Sequence, residues 1–358
     1  MHLVCFEHRP AAPGGRPATA DRREVQGGDA ASPNLDTLAA HWPGRRRLGA
    51  LLAAGPRAGC VVDLNAALAV QLALDDAGAP EAEADSLLPP DPMRFLRRFE
   101  ASLPHARSVL AFVEGCAGRW DAPDLARAGA LLERREVRLA APVPSPGKIV
   151  GVADNYAGHG ADQARATRPP EPVLFLEAPS AVAGPEDDIV IPAVSEQTDH
   201  EGELAAVIGR RGRDLCVAQA LSHVAGYAIA NDVCAREFQG RRGQHFIGKS
   251  CDGFTPLGPA LVTADEIDDP QDLAITTRIS GETMQSARTK EMIFSVAEIL
   301  AFASRLMTLE PGDVVLTGTP SGVGMERTSP RWLRDGDVVE IEIERLGRLH
   351  NYVRRAGP

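Results

Sequence analysis

The spacing of hydrophobic positions differs between the two halves of the chain. Residues 91–139 carry apolar side chains at helical intervals, in "MRFLRRFEASL" and "DLARAGALLERREVRL", and predict amphipathic helices. Beyond residue 146 most apolar segments are short, β-rich and bounded by Pro, Gly or Asp, as in "PVLFLE", "DIVIP" and "DVVLTG". Such segments are typical of a β-rich barrel or sandwich-like domain.

Two further patterns predict individual elements. The stretch "MIFSVAEILAFASRLMTL" predicts one long helix, which Pro311 and Gly312 should end. Near the N-terminus, "RRRLGALLAAGPRAGCVVDLNAAL" predicts a strand, a turn, a second strand and the start of a helix. Either Asp63 or Asn65 is expected to cap that helix.

A run of prolines at 142, 144 and 146 separates the helical pattern from the β-rich pattern and predicts a domain boundary. We therefore expect an N-terminal domain over residues 1–144 and a second domain over 145–358. Residues 10–33 are rich in Ala, Gly, Pro and Arg without periodicity, and indicate a low-complexity insertion. The expected class is mixed α/β and β-rich, with a smaller α+β domain at the N-terminus.

Composition narrows the classes of function. Of the 358 residues, 44% are hydrophobic and 24% charged, as in ordinary globular proteins. The net charge of −11 argues against nucleic-acid binding, which needs a basic surface. No apolar run approaches the roughly 20 residues that cross a bilayer, and the N-terminus lacks a signal-peptide pattern. We expect a cytoplasmic protein without nucleic-acid or membrane partners.

The stretch "GQHFIGKS", residues 243–250, fits the phosphate-loop pattern G-x-x-x-x-G-K-[ST]. The pattern requires a strand before it and a helix after it. Instead "CDGFTPLGP" follows, in which glycines and prolines prevent a helix. A nucleotide site is therefore not predicted, and Lys249 needs another explanation. Lysine is rare in this chain, with three copies against 35 arginines, which mildly favours a specific role for each.

Three acidic residues form a candidate metal site. Glu201 and Glu203 are two apart at the start of an apolar strand, so their side chains leave the same face. Asp232 ends a second apolar strand, "VAGYAIAND". Carboxylates without nearby His or Cys favour a hard cation such as Mg²⁺ or Mn²⁺. Other E-x-E pairs, at 81 and 83 and along 340–344, are interpreted as solvated faces.

The second half of the chain resembles the fumarylacetoacetate hydrolase family, in its bacterial branch of 2-oxo-acid and acylpyruvate enzymes. The matching stretches cover roughly residues 146–353. They include "KIVGVADNYAGH", "HEGELAAVIGR", "VAGYAIANDVCAREFQ", "GKSCDGFTPLGPALVT" and "LTGTPSGVG". This resemblance implies a β-roll or sandwich-like catalytic domain, a homodimer and a bound Mg²⁺, with Mn²⁺ or Ca²⁺ as alternatives.

The resemblance also implies roles for individual residues. The implied metal ligands are Glu201, Glu203 and Asp232; the implied catalytic residues are His159, Asp162 and Lys249; the implied substrate contacts are Tyr156, Arg236, Gln239 and Thr319. His159 and Asp162 would form a dyad that activates water or transfers a proton. Two positions depart from the family pattern: Asp162 stands where Glu is usual, and His200 stands where an aromatic residue usually precedes E-x-E.

These parts predict a Mg²⁺-dependent hydrolase that cleaves a C–C bond in an acylpyruvate or β-diketo acid through a metal-bound enolate. A lyase or isomerase on the same fold shares that enolate and stays open, namely a 2-oxo-acid decarboxylase or a 2-hydroxyhepta-2,4-diene-1,7-dioate isomerase. A catalytically weak metal-binding homologue is the third alternative. A serine hydrolase is not favoured because the chain has no G-x-S-x-G motif.

Overall fold

The computed structural model describes residues 1–9, 46–52, 57–75, 77–116, 122–158, 168–239 and 244–357. The chain divides into two compact units. The larger consists of Met1–Cys5, Asp91–Ala101 and Leu139–Pro358, and the smaller of Phe6–Pro90 and Ser102–Arg138. The low-complexity segment predicted over residues 10–33 lies outside the described residues, and the domain boundary between residues 144 and 145 stays a prediction.

The described strands and helices are numbered in chain order. The strands are β1 (His2–His8), β2 (Arg47–Leu51), β3 (Val61–Asp63), β4 (Leu131–Leu132), β5 (Val137–Ala140), β6 (Ile149–Ala153), β7 (Val173–Glu177), β8 (Val182–Ala183), β9 (Ile189–Ile191), β10 (Thr198–Asp199), β11 (Gly202–Ile208), β12 (Val224–Asn231), β13 (Cys234–Ala235), β14 (Thr255–Thr263), β15 (Ala274–Ile279), β16 (Glu282–Arg288), β17 (Val314–Leu316), β18 (Val338–Ile343) and β19 (Gly347–Arg355). The helices are α1 (Leu64–Leu74), α2 (Pro80–Leu87), α3 (Pro92–Arg97), α4 (Phe99–Gly115), α5 (Ala122–Arg127), α6 (Val217–Ala220), α7 (Phe246–Lys249) and α8 (Val296–Leu306).

The larger unit contains strands of two large sheets and a two-stranded sheet of β10 and β13. The first runs in the order β14-β12-β11-β17-β6-β7, and the second in the order β16-β15-β18-β19-β9. In the first sheet β11 and β12 are buried along their whole length. Strands that are covered on both faces read as continuous apolar runs, which is the pattern of "GELAAVI" and "VAGYAIAN". The second sheet alternates buried residues with half-buried or exposed ones along β18, so one of its faces is partly open to solvent.

The apolar core of the larger unit joins side chains from both sheets and from α8. Leu204, Ile229, Ile275, Ile299 and Ile341 are all buried in this cluster. Burial of such side chains is the main force that holds the sheets together, at about 1.5–3 kcal/mol for each. The prediction of a mixed α/β, β-rich fold is confirmed.

The smaller unit follows the pattern expected from its sequence. β2 pairs antiparallel with β3, and β3 pairs antiparallel with β4. The residue that caps α1 is Asp63, whose carboxylate accepts a hydrogen bond from the Ala66 amide. Asn65, the alternative, lies inside the helix, and its side-chain amide donates to Leu88 O and Asp85 Oδ1.

The helix predicted from "MIFSVAEILAFASRLMTL" is shorter than that stretch. α8 begins after Ser295, because the Ser295 hydroxyl caps the Glu298 amide while the Glu298 carboxylate accepts from the Ser295 amide. It ends at Leu306, five residues before Pro311. The capping box therefore sets the start of the helix. Its end lies at Leu306, so Pro311 is not the residue that terminates it.

No helix in the described part of the chain is long and apolar enough to cross a membrane.

Candidate active site and metal centre

The antiparallel pairing of β11 and β12 brings the three predicted acids together. Glu203 lies opposite Ala230 in the ladder, Glu201 comes just before β11 and Asp232 just after β12. The Asp232 amide donates to Glu201 O across 2.8 Å, which closes this end of the strand pair. As a result, one carboxylate oxygen of each acid lies within 4.8 Å of the others.

The three carboxylates are buried close together. Glu201, Glu203 and Asp232 expose at most 6% of their surface. Burial raises the pKa of Glu203 well above its usual range, and the neighbouring charges of Asp232 and Glu201 raise it further. Burial likewise raises the pKa of Asp232, although Lys249 opposes the effect. Three oxygen donors that would otherwise be costly to ionise suit a hard divalent cation such as Mg²⁺ or Mn²⁺.

Lys249 enters this cluster from α7. Its Nζ lies 2.9 Å from Asp232 Oδ2 and 2.5 Å from Glu201 Oε2, and it donates to Asp232 O at 2.8 Å. Burial by itself lowers the pKa of Lys249, but the charges of Asp232 and Glu201 more than offset this and raise it. The ammonium group is therefore charged and partly neutralises the carboxylates.

Arg236 links the acids to the polar wall of the site. Its Nη2 lies 2.7 Å from Glu201 Oε1 and 2.9 Å from Asp199 Oδ2. Its Nη1 donates to Gln239 Oε1 at 2.8 Å. Burial would raise the pKa of Asp199, but hydrogen bonding to His200 and the charge of Arg236 hold it below its usual range. Asp199 therefore stays ionised and fixes the guanidinium.

The loop after β17 supplies backbone donors and a hydroxyl. The Gly318 amide donates to Glu203 Oε2 at 2.7 Å. The Thr319 hydroxyl donates to Gly202 O at 2.9 Å and accepts from Gln285 Nε2 at 2.7 Å. These bonds hold the Glu203 carboxylate and the loop in one arrangement.

A cavity of about 240 Å³ opens onto the acids. Its polar and charged lining residues are Asp154, Glu201, Glu203, Asp232, Arg236, Gln239, His245, Lys249 and Thr319, and its apolar ones include Phe175 and Met325. This volume suits a small organic acid. The structure therefore brings together seven of the ten residues assigned from the sequence, which are the three acids, Lys249, Arg236, Gln239 and Thr319.

The remaining three assigned residues are placed differently. His159 and Asp162 lie outside the described residues. Tyr156 is 1% exposed and belongs to the apolar core rather than to the lining of the cavity. Burial raises the pKa of its hydroxyl, and Glu203 adds to the effect, so the phenol stays neutral. The contact of Tyr156 with a substrate stays a prediction.

Sequence reasoning missed Glu177, a fourth buried acid beside the site. It ends β7, its Oε2 accepts from the Thr255 hydroxyl at 2.8 Å, and its carboxyl group contacts Asp232. Burial raises the pKa of Glu177 well above its usual range, and Asp232 adds to this. Both effects favour the protonated form of Glu177. The available signal was an acid at the end of the apolar strand "VLFLE", the same signal that identified Asp232.

Two further histidines, His200 and His245, lie beside the residues of the site. His200 is fully buried, with Nδ1 3.3 Å from Asp199 Oδ1, so it contacts the residue that orients Arg236. His245 lines the cavity, where its ring stacks on Phe175 with centroids 5.1 Å apart.

Comparison with known proteins supports the family assignment. The model of the fumarylacetoacetate (FAA) hydrolase C-terminal family matches residues 148–354. The chain is 45% identical over 262 residues to the bovine (Bos taurus) protein named oxaloacetate tautomerase FAHD2A, mitochondrial, covering 72% of this chain and 82% of that protein. It is 44% identical over 222 residues to oxaloacetate tautomerase YisK of Bacillus subtilis, covering 61% of this chain and 73% of that protein.

Solved structures agree with this assignment. The fumarylacetoacetate hydrolase of Exiguobacterium antarcticum superposes with a TM-score of 0.66 at 37% identity, covering 87% of this chain and 96% of that one. The maleylpyruvate hydrolase of a Sphingobium species, in complex with manganese (II) ion and pyruvate, gives a TM-score of 0.64 at 28% identity, covering 87% and 97%. The chain thus belongs to the fumarylacetoacetate hydrolase family of enzymes.

Proposed function

We propose that this protein is a divalent-metal-dependent enzyme that interconverts the keto and enol forms of a small 2-oxo acid of the oxaloacetate type. The observation that carries the proposal is the buried group of Glu201, Glu203 and Asp232, which lines a cavity of about 240 Å³. Support for this reaction comes from the relatives of 42–45% identity named oxaloacetate tautomerases.

The residues of the site have separate roles in this proposal. Glu201, Glu203 and Asp232 would hold the cation, for which Mg²⁺ is our first assignment and Mn²⁺ or Ca²⁺ the alternatives. A bound divalent cation supplies Lewis-acid stabilisation of negative charge on a substrate oxygen. Lys249 adds a fixed positive charge beside it. Arg236 and the Gly318 amide keep two of the carboxylates oriented.

Keto–enol interconversion moves one proton between C3 and the oxygen on C2, and it neither consumes nor releases water. It therefore needs a residue that takes and returns a proton near the polarised oxygen. We propose His159, oriented by Asp162, for this step, on the basis of the family motif "NYAGHGAD". Asp162 is one methylene shorter than the glutamate usual in the family, so its reach to His159 is the feature to test first.

C–C bond hydrolysis, the reaction predicted first from the sequence, is the second candidate. It is favoured by the likeness to maleylpyruvate hydrolase and uses the same acids. In that reaction His159 would deprotonate a water molecule instead of moving the C3 proton. The decarboxylase and isomerase alternatives share the same metal ligands and are included in the test below, as is a homologue that binds metal but turns over slowly.

The test is turnover of oxaloacetate enol, an acylpyruvate, fumarylpyruvate and a 2-hydroxy-diene dioate, each with Mg²⁺, Mn²⁺, Ca²⁺ or EDTA. We expect metal-dependent loss of the enol absorbance of oxaloacetate without CO₂ release. Glu203→Gln should lower this activity at least about 100-fold. Mutation of a residue that only hydrogen-bonds to a metal ligand already lowers activity by up to about 100-fold, and loss of the ligand itself should lower it no less.

Glu342→Gln is the matched control, since Glu342 belongs to another E-x-E run and is exposed on β18; it should leave activity unchanged. Cleavage of an acylpyruvate with an inert oxaloacetate would move the protein to the hydrolase candidate. Undisturbed metal binding with no turnover of any substrate would favour the weak homologue.

A further inference from the structure

We propose that His245 is a substrate-binding residue, whose neutral imidazole donates a hydrogen bond from Nε2 to the distal carboxylate of a 2-oxo dicarboxylate. The inference rests on the proposed 2-oxo-acid chemistry and deepens it, by naming the group that selects a dicarboxylate. It begins from the stretch "GQHFIGKS", which fits a phosphate-loop pattern without forming one. There α7 has four residues, and the Lys249 side chain turns into the acid cluster.

A chain of contacts ties His245 to the metal site. Glu201 Oε1 lies 2.7 Å from Arg236 Nη2, Arg236 Nη1 lies 2.8 Å from Gln239 Oε1, and Gln239 Nε2 lies 3.3 Å from His245 Nδ1. The imidazole is held from a second side by the Phe175 ring, with an interplanar angle of 21°. His245 is therefore a positioned part of the cavity wall.

The chain of contacts also fixes the imidazole tautomer. A guanidinium only donates hydrogen bonds, so the Gln239 oxygen must face Arg236 and the Gln239 amide nitrogen must face His245. That nitrogen only donates as well, so Nδ1 of His245 accepts. A neutral imidazole whose Nδ1 accepts carries its proton on Nε2. Burial lowers the pKa of His245, and the charge of Lys249 lowers it further, which favours this neutral form at pH 7.

Charge determines which part of a substrate this donor receives. Among the described lining residues the cationic groups are Arg236 and Lys249, and both form ion pairs with the buried acids. The carboxylate and 2-oxo oxygens of a substrate belong at the metal end, where Lys249 lies. A second carboxylate therefore meets the neutral donors of Gln239 and His245. A substrate that lacks the distal carboxylate has no acceptor for these two donors.

The test compares oxaloacetate with its C4 methyl ester, which keeps the 2-oxo acid but removes the distal charge. His245→Phe keeps an aromatic ring against Phe175 and loses the donor. We expect it to raise KM for oxaloacetate about 10- to 100-fold, the range of a hydrogen bond to a charged group, with kcat within a few-fold of the wild type. KM for the ester should change less than about threefold, within the scatter of a surface substitution.

Two further variants complete the design. His245→Gln places an amide nitrogen where the donor is needed. Its KM for oxaloacetate should therefore be close to that of the wild type and well below that of His245→Phe. His350→Phe alters another histidine in a ring contact, that with Tyr352 at 5.0 Å, and should change nothing. Mg²⁺ affinity by calorimetry should be equal in all variants. Equal KM losses for oxaloacetate and its ester in His245→Phe would overturn the inference, and so would a loss confined to kcat.

A binding measurement separates this inference from the proposed reaction. The metal-loaded protein is titrated with malate, which has the distal carboxylate, and with lactate, which lacks it. If the wild type does not turn over oxaloacetate, the proposed function fails. The inference still stands if His245→Phe weakens malate binding about 10-fold or more while lactate is unaffected. Equal binding of malate by the wild type and His245→Phe would overturn it.

Discussion

Lys249 is the residue whose environment in the structure adds most to what its sequence position indicated. Its rarity among 35 arginines singled it out, and the family resemblance placed it near substrate. The structure adds that it is 1% exposed and contacts both Glu201 and Asp232. A buried cation between two acids stabilises their ionised forms when no metal is present. Lys249 thus has a structural role in addition to the proposed catalytic one.

This role leads to a stability prediction. Lys249→Met keeps the length and apolar stem of the side chain but removes the charge. We expect the free energy of unfolding in EDTA to fall by about 3–5 kcal/mol, because Asp232 loses its cationic partner while buried and Glu201 keeps only Arg236. Saturating Mg²⁺ should reduce the loss, since the cation replaces the missing charge.

Urea denaturation with EDTA and with Mg²⁺ measures both values. Lys290→Met is the control, since Lys290 is 61% exposed and its nearest ion-pair distance is 3.6 Å; it should cost less than about 0.5 kcal/mol. An equal loss with and without Mg²⁺ would show that Lys249 does not act as a counter-charge.

Some residues of the site could be predicted from the sequence and others could not, for physical reasons. Glu201 and Glu203 were predictable because alternation along a strand puts both on one face. Asp199 was not, because its role depends on its contact with Arg236, 37 positions away. Glu177 carried a signal at the end of "VLFLE", but its contact with Asp232, 55 positions away, was not indicated. Tyr156 was assigned to the substrate by resemblance alone; it is buried in the core, and its contact with a substrate stays a prediction.

Among the elements, the loop after β17 is the one on which the geometry of the acids most depends. Gly318 has φ of +93°, and a Cβ at this position would lie 2.6 Å from Asn155 Cβ. Its amide is the donor to Glu203. Only glycine combines this left-handed conformation with such a close approach.

Replacing this glycine tests the loop directly. Gly318→Ala should lower the free energy of unfolding by about 1–2 kcal/mol for the backbone conformation and by a further 1–3 kcal/mol or so for the overlap with Asn155. It should also weaken Mg²⁺ binding, because the overlap with Asn155 shifts the amide that donates to Glu203. Urea denaturation and calorimetry measure the two effects.

Gly336→Ala separates strain from overlap. Gly336 has φ of +84° but no atom within 4 Å of an added Cβ. Gly336→Ala should lower the free energy of unfolding by about 1–2 kcal/mol for the backbone conformation alone, and its Mg²⁺ affinity should equal that of the wild type. If the two variants lose equal stability and bind Mg²⁺ equally well, the loop does not position Glu203.

Elements were predicted well where a local signal exists and less well where it does not. The capping residues of α1 and the periodic core of α8 are local, and both were present in the sequence. The end of α8 was placed too late because the prediction relied on Pro311, whereas the S-x-x-E capping box at Ser295 was the sharper signal at the other end. The parallel pairing of β17 with β6 joins Val314 to Ile149, which no local pattern indicates.

On the scale of the whole molecule, the β-rich class followed from the short apolar segments, but the order of strands did not. β6, β17 and β11 are neighbours although about 165 residues of chain separate Ile149 from Val314. The family resemblance supplied the fold that periodicity alone could not, because a period of two indicates that a strand exists but leaves its neighbour undefined.

The quaternary state remains a proposal at this scale, and we propose a homodimer. The expected molar mass by light scattering at micromolar concentration is twice the 38.0 kDa of one chain. The mass should be unchanged by EDTA, because the metal ligands all come from one short stretch of paired strands within a single chain. A mass of one chain across that concentration range would contradict the proposal.

The positions of the metal ligands have a consequence for how such enzymes diverge. All three acids stand at one end of β11 and β12, two strands that are buried along their length. By contrast, Gln239 and His245 lie outside the first sheet, on the segment between β13 and α7. A substitution of His245, which has no contact with the acids, can therefore change what is bound without disturbing how the cation is held. Descent from one ancestor can keep a single reactive centre while the substrate changes, and relatives named as tautomerases, isomerases and hydrolases are the outcome that such an arrangement permits.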